Sequence, residues 1–142
     1  MKLVKHLLDT KGRNVVSIAP DASVFDAIKL MADQVIGSLV VMADDQLLGI
    51  VTERDYARKV ILKGRSSEST RVAEIMTGEV LTTSSAQTVN ECMELMTEKR
   101  IRHLPVVDDN RVIGMISIGD LVQAIITDQQ QEIEQLEQYI SS

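Results

Sequence analysis

Gly49-Ile50-Val51-Thr52-Glu53-Arg54-Asp55 closes an apolar run and opens a helical pattern, and Gly114-Met115-Ile116-Ser117-Ile118-Gly119-Asp120 does the same later in the chain. The two stretches lie 65 positions apart, the separation of Gly49 from Gly114. Working outward from them, the same shift aligns Val15 with Val80, Val24 with Val89, Leu30-Met31 with Leu95-Met96, Ile36 with Ile101, Val41 with Val106 and Asp44 with Asp109, without a gap. One register that preserves a glycine, two aspartates and the apolar pattern identifies an internal duplication.

Each copy reads as β-α-β-β-α. The opening strands are Val15-Val16-Ser17-Ile18 and Val80-Leu81-Thr82-Thr83. Ser23 then precedes Val24, Ala27, Ile28 and Met31, and Thr88 precedes Val89, Cys92, Met93 and Met96, all at helical spacing. Thr88 with Glu91 fits a capping box, and Ser23 with Asp26 a weaker version of it. Two apolar runs follow around an acidic turn, Ala43-Asp44-Asp45-Gln46 in the first copy and Asp108-Asp109-Asn110 in the second, which predicts hairpins. The expected fold is α/β (α+β): two β-α-β-β-α repeats packed about a pseudo-two-fold axis, flanked by helices. The expected segments are an N-terminal helix (1–12), repeat 1 (13–63), a polar, Ser-rich linker (64–77), repeat 2 (78–125) and a C-terminal helical extension (126–142).

The chain has 142 residues, a formal charge of -6 and 44% apolar residues, enough for an aliphatic core. With aromatics at 2% and no Trp, recognition of nucleic acid by base stacking is not supported, and the acidic balance disfavours nucleic acid and anionic membranes. One cysteine and two distant histidines provide no metal site. The N-terminal apolar stretch is broken at Lys5 and Asp9, unlike a secretory signal, and no later run would span a membrane. A reducing, cytoplasmic setting is expected. Cys92, Met31, Met93 and Met96 read as core, and Arg58, Lys59, Lys63, Arg65 and Arg71 as a solvated face.

At Thr52-x-x-Asp55 and Ser117-x-x-Asp120 a hydroxyl stands at the helix N-cap with a carboxylate three residues on, where first-turn N–H groups lack helical partners and attract anions. Gly49 and Gly114 precede these junctions, and a strand glycine implies close approach of a backbone or a ligand. An isolated motif of this kind is satisfied as a capping box without any ligand. Two in register, together with Arg102-His103-Leu104-Pro105-Val106-Val107, resemble the signature of cystathionine-β-synthase (CBS) domain pairs over about residues 10–125.

The resemblance implies a sensor of adenosine nucleotides, not a catalyst, binding AMP above all, or NAD, ADP, ATP or S-adenosylmethionine, without a metal, in two clefts between the repeats. It implies a first site of Ile50, Thr52, Arg54, Asp55, Leu81, Ile101, Arg102 and His103, and a second of Asn14, Val16, Ile36, Gly37, Ser38, Met115, Ser117 and Asp120. In each, the aspartate accepts from ribose hydroxyls, Thr52 or Ser117 holds phosphate, and adenine lies on aliphatic side chains such as Leu81 or Val16. Arg54, Arg102 and His103 make the Asp55 site the phosphate-competent one, because Gly119, Gly37 and Ser38 occupy the corresponding positions of the other.

From Val122 to Ile140 the residues Val122, Ile126, Ile133, Leu136 and Ile140 form one stripe, interrupted by Gln129, beyond the last basic residue, Arg111. Such a helix either meets a partner or folds back on Leu3, Leu7 and Leu8. The expected assembly is a homodimer that regulates another protein. A structural dimerisation or adaptor protein with a vestigial nucleotide site is the alternative, and an enzyme acting on nucleotides a third.

Overall fold

In the computed structural model, residues 2–141 are described. The chain divides into two compact units. One consists of Asn14–Leu81 with the short piece Asp109–Val112, and the other of the N-terminal segment through Arg13, Thr82–Asp108 and the chain from Ile113 onward.

The first-repeat unit is built on a three-stranded sheet in the order β1 (Ser17–Ile18), β2 (Ser38–Ala43), β3 (Gln46–Thr52). β1 is parallel to β2, with Ser17 opposite Val40, and β2 is antiparallel to β3, with Ser38 opposite Thr52. Asp44 and Asp45 form the two-residue turn with φ of 52° and 62°. Two positive φ values match the right-handed twist of a hairpin, and Asp tolerates them. Helix α2 (Val24–Gln34) starts where the Ser23 hydroxyl accepts from Asp26 N, and buries Val24, Ala27 and Met31. These pack with Leu39, Val41 and Val51 of the hairpin into one core.

That core also holds Val72 and Ile75 of a short helix, α4 (Val72–Ile75), so part of the polar connecting stretch is structural. Val72 N donates to Ala22 O, Ala73 N to Pro20 O, and Ile50 and Thr77 exchange both backbone hydrogen bonds. Three of the basic residues expected on a solvated face are engaged here: Arg71 reaches Asp21 O, Arg65 pairs with Glu74, and Lys59 donates to Ile75 O.

The second-repeat unit repeats the plan with α5 (Val89–Lys99), β4 (His103–Asp108) and β5 (Arg111–Ser117). Thr88 and Glu91 form the expected capping box, and Asp109 and Asn110 turn the hairpin with φ of 50° and 63°. The strand expected at Val80–Thr83 is reduced to a single parallel bridge between Thr83 and Val106. In the first repeat Val40 N donates to Val16 O, but its counterpart here is Pro105, which has no N–H to extend the ladder.

The place that α4 takes in the first-repeat unit is taken here by α1 (Val4–Lys11). Its Val4, Leu7 and Leu8 join Cys92, Met96, Leu104, Val106, Ile116, Leu121 and Ala124 in a second core. The last element, α6 (Ile118–Ser141), is one unbroken helix of 24 residues. Gln129 interrupts the apolar stripe but not the helix. Leu121 and Ala124 are buried near its start, whereas Val122, Ile126, Ile133, Leu136 and Ile140 are exposed, so the stripe does not fold back on α1.

Candidate functional site

The two strand-to-helix junctions have the same local geometry. In the first-repeat unit Thr52 ends β3 and Glu53 starts α3 (Glu53–Tyr56), which continues as a π-helical turn over Ala57–Ile61. Asp55 N donates to Thr52 Oγ1 at 3.2 Å, and Thr52 N donates back to Asp55 Oδ2 at 3.0 Å. In the second-repeat unit Asp120 N donates to Ser117 Oγ at 3.2 Å, and Ser117 N to Asp120 Oδ2 at 2.8 Å. Both junctions are therefore complete capping boxes. The first helical N–H is satisfied too, Glu53 N by Gly37 O and Ile118 N by Arg102 O. Each repeat thus folds the start of its own hairpin against its own helix N-terminus, which leaves less of that terminus open to an anion than the motif alone suggests.

The residues expected at the sites divide between the units. Asn14, Val16, Ile36, Gly37, Ser38, Ile50, Thr52, Arg54, Asp55 and Leu81 belong to the first-repeat unit, and Ile101, Arg102, His103, Met115, Ser117 and Asp120 to the second. Around Asp55, Ser38 and Ile50 are buried, Arg54 is exposed, and an apolar groove along α2 is lined by Met31, Ile36 and Gly37 with Arg54 and Tyr56. The Leu81 side chain is exposed.

Both aspartates carry a lysine that the motif does not contain. Lys59 Nζ lies 3.1 Å from Asp55 Oδ1. Lys11 Nζ lies 2.6 Å from Asp120 Oδ2 and donates to Met115 O, also at 2.6 Å. The first pair has the i,i+4 spacing of a helical ion pair and was within reach of sequence reasoning. The second joins residues 109 positions apart, and no local pattern signals it. The carboxylates differ in access: the Asp55 side chain is 12% exposed and that of Asp120 26%.

Burial by itself would raise the Asp120 carboxyl, but hydrogen bonds from Lys11 and Ser117 and the nearby ammonium hold it below its ordinary range. Burial pushes the His103 imidazole below its ordinary 6.5, Lys11 and Arg102 press in the same direction, and Asp120 opposes them. Lys11, Arg102, His103 and Asp120 thus form one electrostatic group within the second-repeat unit. The Cys92 thiol is pushed up by burial, contacts Thr83 Oγ1, and is a core residue. Among the described residues no group of three His, Cys, Asp or Glu side chains could hold a metal ion, and no helix is long and apolar enough to cross a membrane.

The CBS domain family matches residues 4–62 and 72–127. The chain belongs to this family. The first match begins at α1 and the second at α4, so each CBS repeat includes its leading helix, although α1 packs in the core of the second-repeat unit and α4 in that of the first. The CBS pair is 46% identical over 146 residues to the CBS domain-containing protein CBSX3, mitochondrial, of Arabidopsis thaliana, covering 96% of this chain and 71% of that one. Its fold matches that of a CBS-domain protein from Burkholderia ambifaria described as acting in signal transduction (TM-score 0.87, 52% identity, 90% and 96% of the two chains). It also matches the CBS pair of protein MJ0100 crystallised with 5′-methylthioadenosine and S-adenosyl-L-methionine (TM-score 0.81, 26% identity, 90% and 98% of the two chains). CBS pairs are regulatory modules of a ligand-binding type, and this chain is such a module.

Proposed function

We propose that this CBS pair binds an adenosine-containing ligand at its Asp55 and Asp120 junctions and regulates a partner protein by doing so. The observation that carries the reading is the duplicated carboxylate, fixed at a strand-to-helix turn by its own capping box, within a family one of whose members binds adenosine derivatives. An ionised carboxylate is an acceptor suited to two vicinal ribose hydroxyls, and a capped turn holds it without a loss of side-chain entropy on binding. The proposed ligand set remains Ile50, Thr52, Arg54, Asp55, Leu81, Ile101, Arg102 and His103 for one site, and Asn14, Val16, Ile36, Gly37, Ser38, Met115, Ser117 and Asp120 for the other. AMP is the first candidate, ahead of NAD, ADP, ATP and S-adenosylmethionine, and no chemistry on the ligand is proposed.

Calorimetry of the full chain with each of these compounds and with adenosine tests the reading. We expect heat with at least one of them, abolished for that site by Asp55→Ala or Asp120→Ala, and ligand recovered unaltered after long incubation. The absence of heat and of a thermal shift with every compound would overturn it.

We further propose a homodimer in a reducing, cytoplasmic setting, the latter on the strength of the single, buried, unpaired Cys92; the plant relative bears a mitochondrial name. An adaptor role is favoured by one specific observation, the exposed apolar stripe of α6.

A further inference from the structure

Lys11 is the last residue of α1, and the helix that presents it is held firmly. Leu7 and Leu8 are buried in the second core, Leu8 lies over Gly114 of β5, and Gly12 N donates back to Leu8 O at 2.7 Å to close the helix end. The ammonium is therefore delivered to Asp120 by packing. It stays in touch with water, the Lys11 side chain being 40% exposed. Of its three N–H donors, two are accounted for by Asp120 Oδ2 and Met115 O. Both contacts of the carboxylate, from Lys11 and from Ser117 N, fall on the same oxygen, Oδ2. The junction thus combines a spare acceptor, Oδ1, with a spare charged donor. Arg102 lies at the same junction, its carbonyl accepting from the first N–H of α6, and His103 follows it at the start of β4.

We propose that Lys11 is a ligand-binding residue of the Asp120 junction and selects an adenosine that carries an anionic group on its ribose, such as a phosphate, over the uncharged nucleoside. Asp120 accepts from the ribose hydroxyls while the Lys11 ammonium, one carboxylate away, takes an anionic oxygen on the same sugar. This rests on the reading of the junction as an adenosine site and changes one expectation within it. By sequence position the Asp120 side has only Gly119, Gly37 and Ser38, because Lys11 lies before the duplicated pattern. Asp55 also has its lysine, but there Lys59 engages Oδ1 while Thr52 N and Oγ1 engage Oδ2, and the side chain is more deeply buried.

The test is calorimetry of the full chain with AMP and with adenosine, on the unsubstituted protein and on Lys11→Met and Lys11→Arg. Methionine keeps the length of the apolar stem and removes the charge, and arginine keeps the charge if the methionine variant fails to fold. The expected result is at least a tenfold loss of AMP affinity in K11M with adenosine affinity unchanged, and AMP affinity within about threefold of the original in K11R. An AMP affinity equal to that of the unsubstituted protein in K11M would overturn the proposal and reduce Lys11 to a tie between α1 and the hairpin. So would AMP binding that survives Asp120→Ala and is lost in Asp55→Ala, because the anion would then belong to the other junction. If the unsubstituted protein binds neither AMP nor adenosine, the role of Lys11 is overturned, while the adenosine reading itself fails only when NAD, ADP, ATP and S-adenosylmethionine give no heat either.

Discussion

A methyl group on Gly49 would stand 2.7 Å from Thr77 O and 2.8 Å from Met76 Sδ; one on Gly114 would stand 2.6 Å from Leu8 Cδ2. These glycines are the repeat's most legible signal, and the close approach they permit is made by the chain itself. The two sites differ in what would have to move. At Gly49 the obstacle includes a backbone carbonyl locked in the Ile50–Thr77 exchange, whereas at Gly114 it is the end of a flexible side chain. Gly49→Ala is therefore expected to destabilise the protein by about 2 kcal/mol, in the range of core overpacking, and Gly114→Ala by less. Urea midpoints of the two variants check the order, and a larger loss for Gly114→Ala would contradict the assignment.

At the scale of elements, α6 is decided twice. Its first turns bury Leu121 and Ala124 in the second core, and from Gln129 onward every described residue is exposed. Ile126, Ile133, Leu136 and Ile140 follow at intervals of seven, three and four, which keep one helix face, so the apolar stripe continues past the surface that covers its beginning. Ile133→Asn combined with Leu136→Asn removes apolar surface that packs on nothing within the chain, so the melting temperature of the dilute protein is expected to change by no more than about 1 °C. If the stripe forms the proposed dimer, the same variant sediments as a monomer at concentrations where the original is dimeric; an unchanged dimer assigns self-association to another surface. The first repeat has no counterpart to this helix, since α3 passes into a π-helical turn and ends at Ile61.

For the whole molecule, acid acts on stability through carboxyls of both units, Glu74 in the first and Asp108 and Asp120 in the second, and through His103 beside Asp120. His103 and Asp120 both have folded-state pKa values below their ordinary ones. A depressed value means that the unfolded chain takes up a proton first, so stability is full above the ordinary pKa and is lost as pH falls through the shifted one. Urea unfolding should show a decline starting near pH 6.5 from His103, and a further one below about pH 3.8 from Asp120. His103→Gln is expected to remove the upper decline, and an identical slope in that variant would show that another group causes it.

What could be read in one dimension was local. A two-residue Asp turn between apolar runs specifies a hairpin, and a Ser or Thr three residues before an Asp or Glu specifies a helix start, because the groups involved are covalently tethered within a few ångströms of each other. The duplication followed from the same patterns recurring in one register, and with it came the family, both junctions and the two aspartates. Even the shortened strand of the second repeat had its cause in view at Pro105. The sequence by itself therefore determined the elements of each repeat and the residues at each turn. The tertiary structure alone decided that α1 completes the second core, that Leu8 covers Gly114, and that Lys11 meets Asp120. Those contacts join residues about a hundred positions apart, and they exist only because burying the apolar face of α1 carries its last residue to that place.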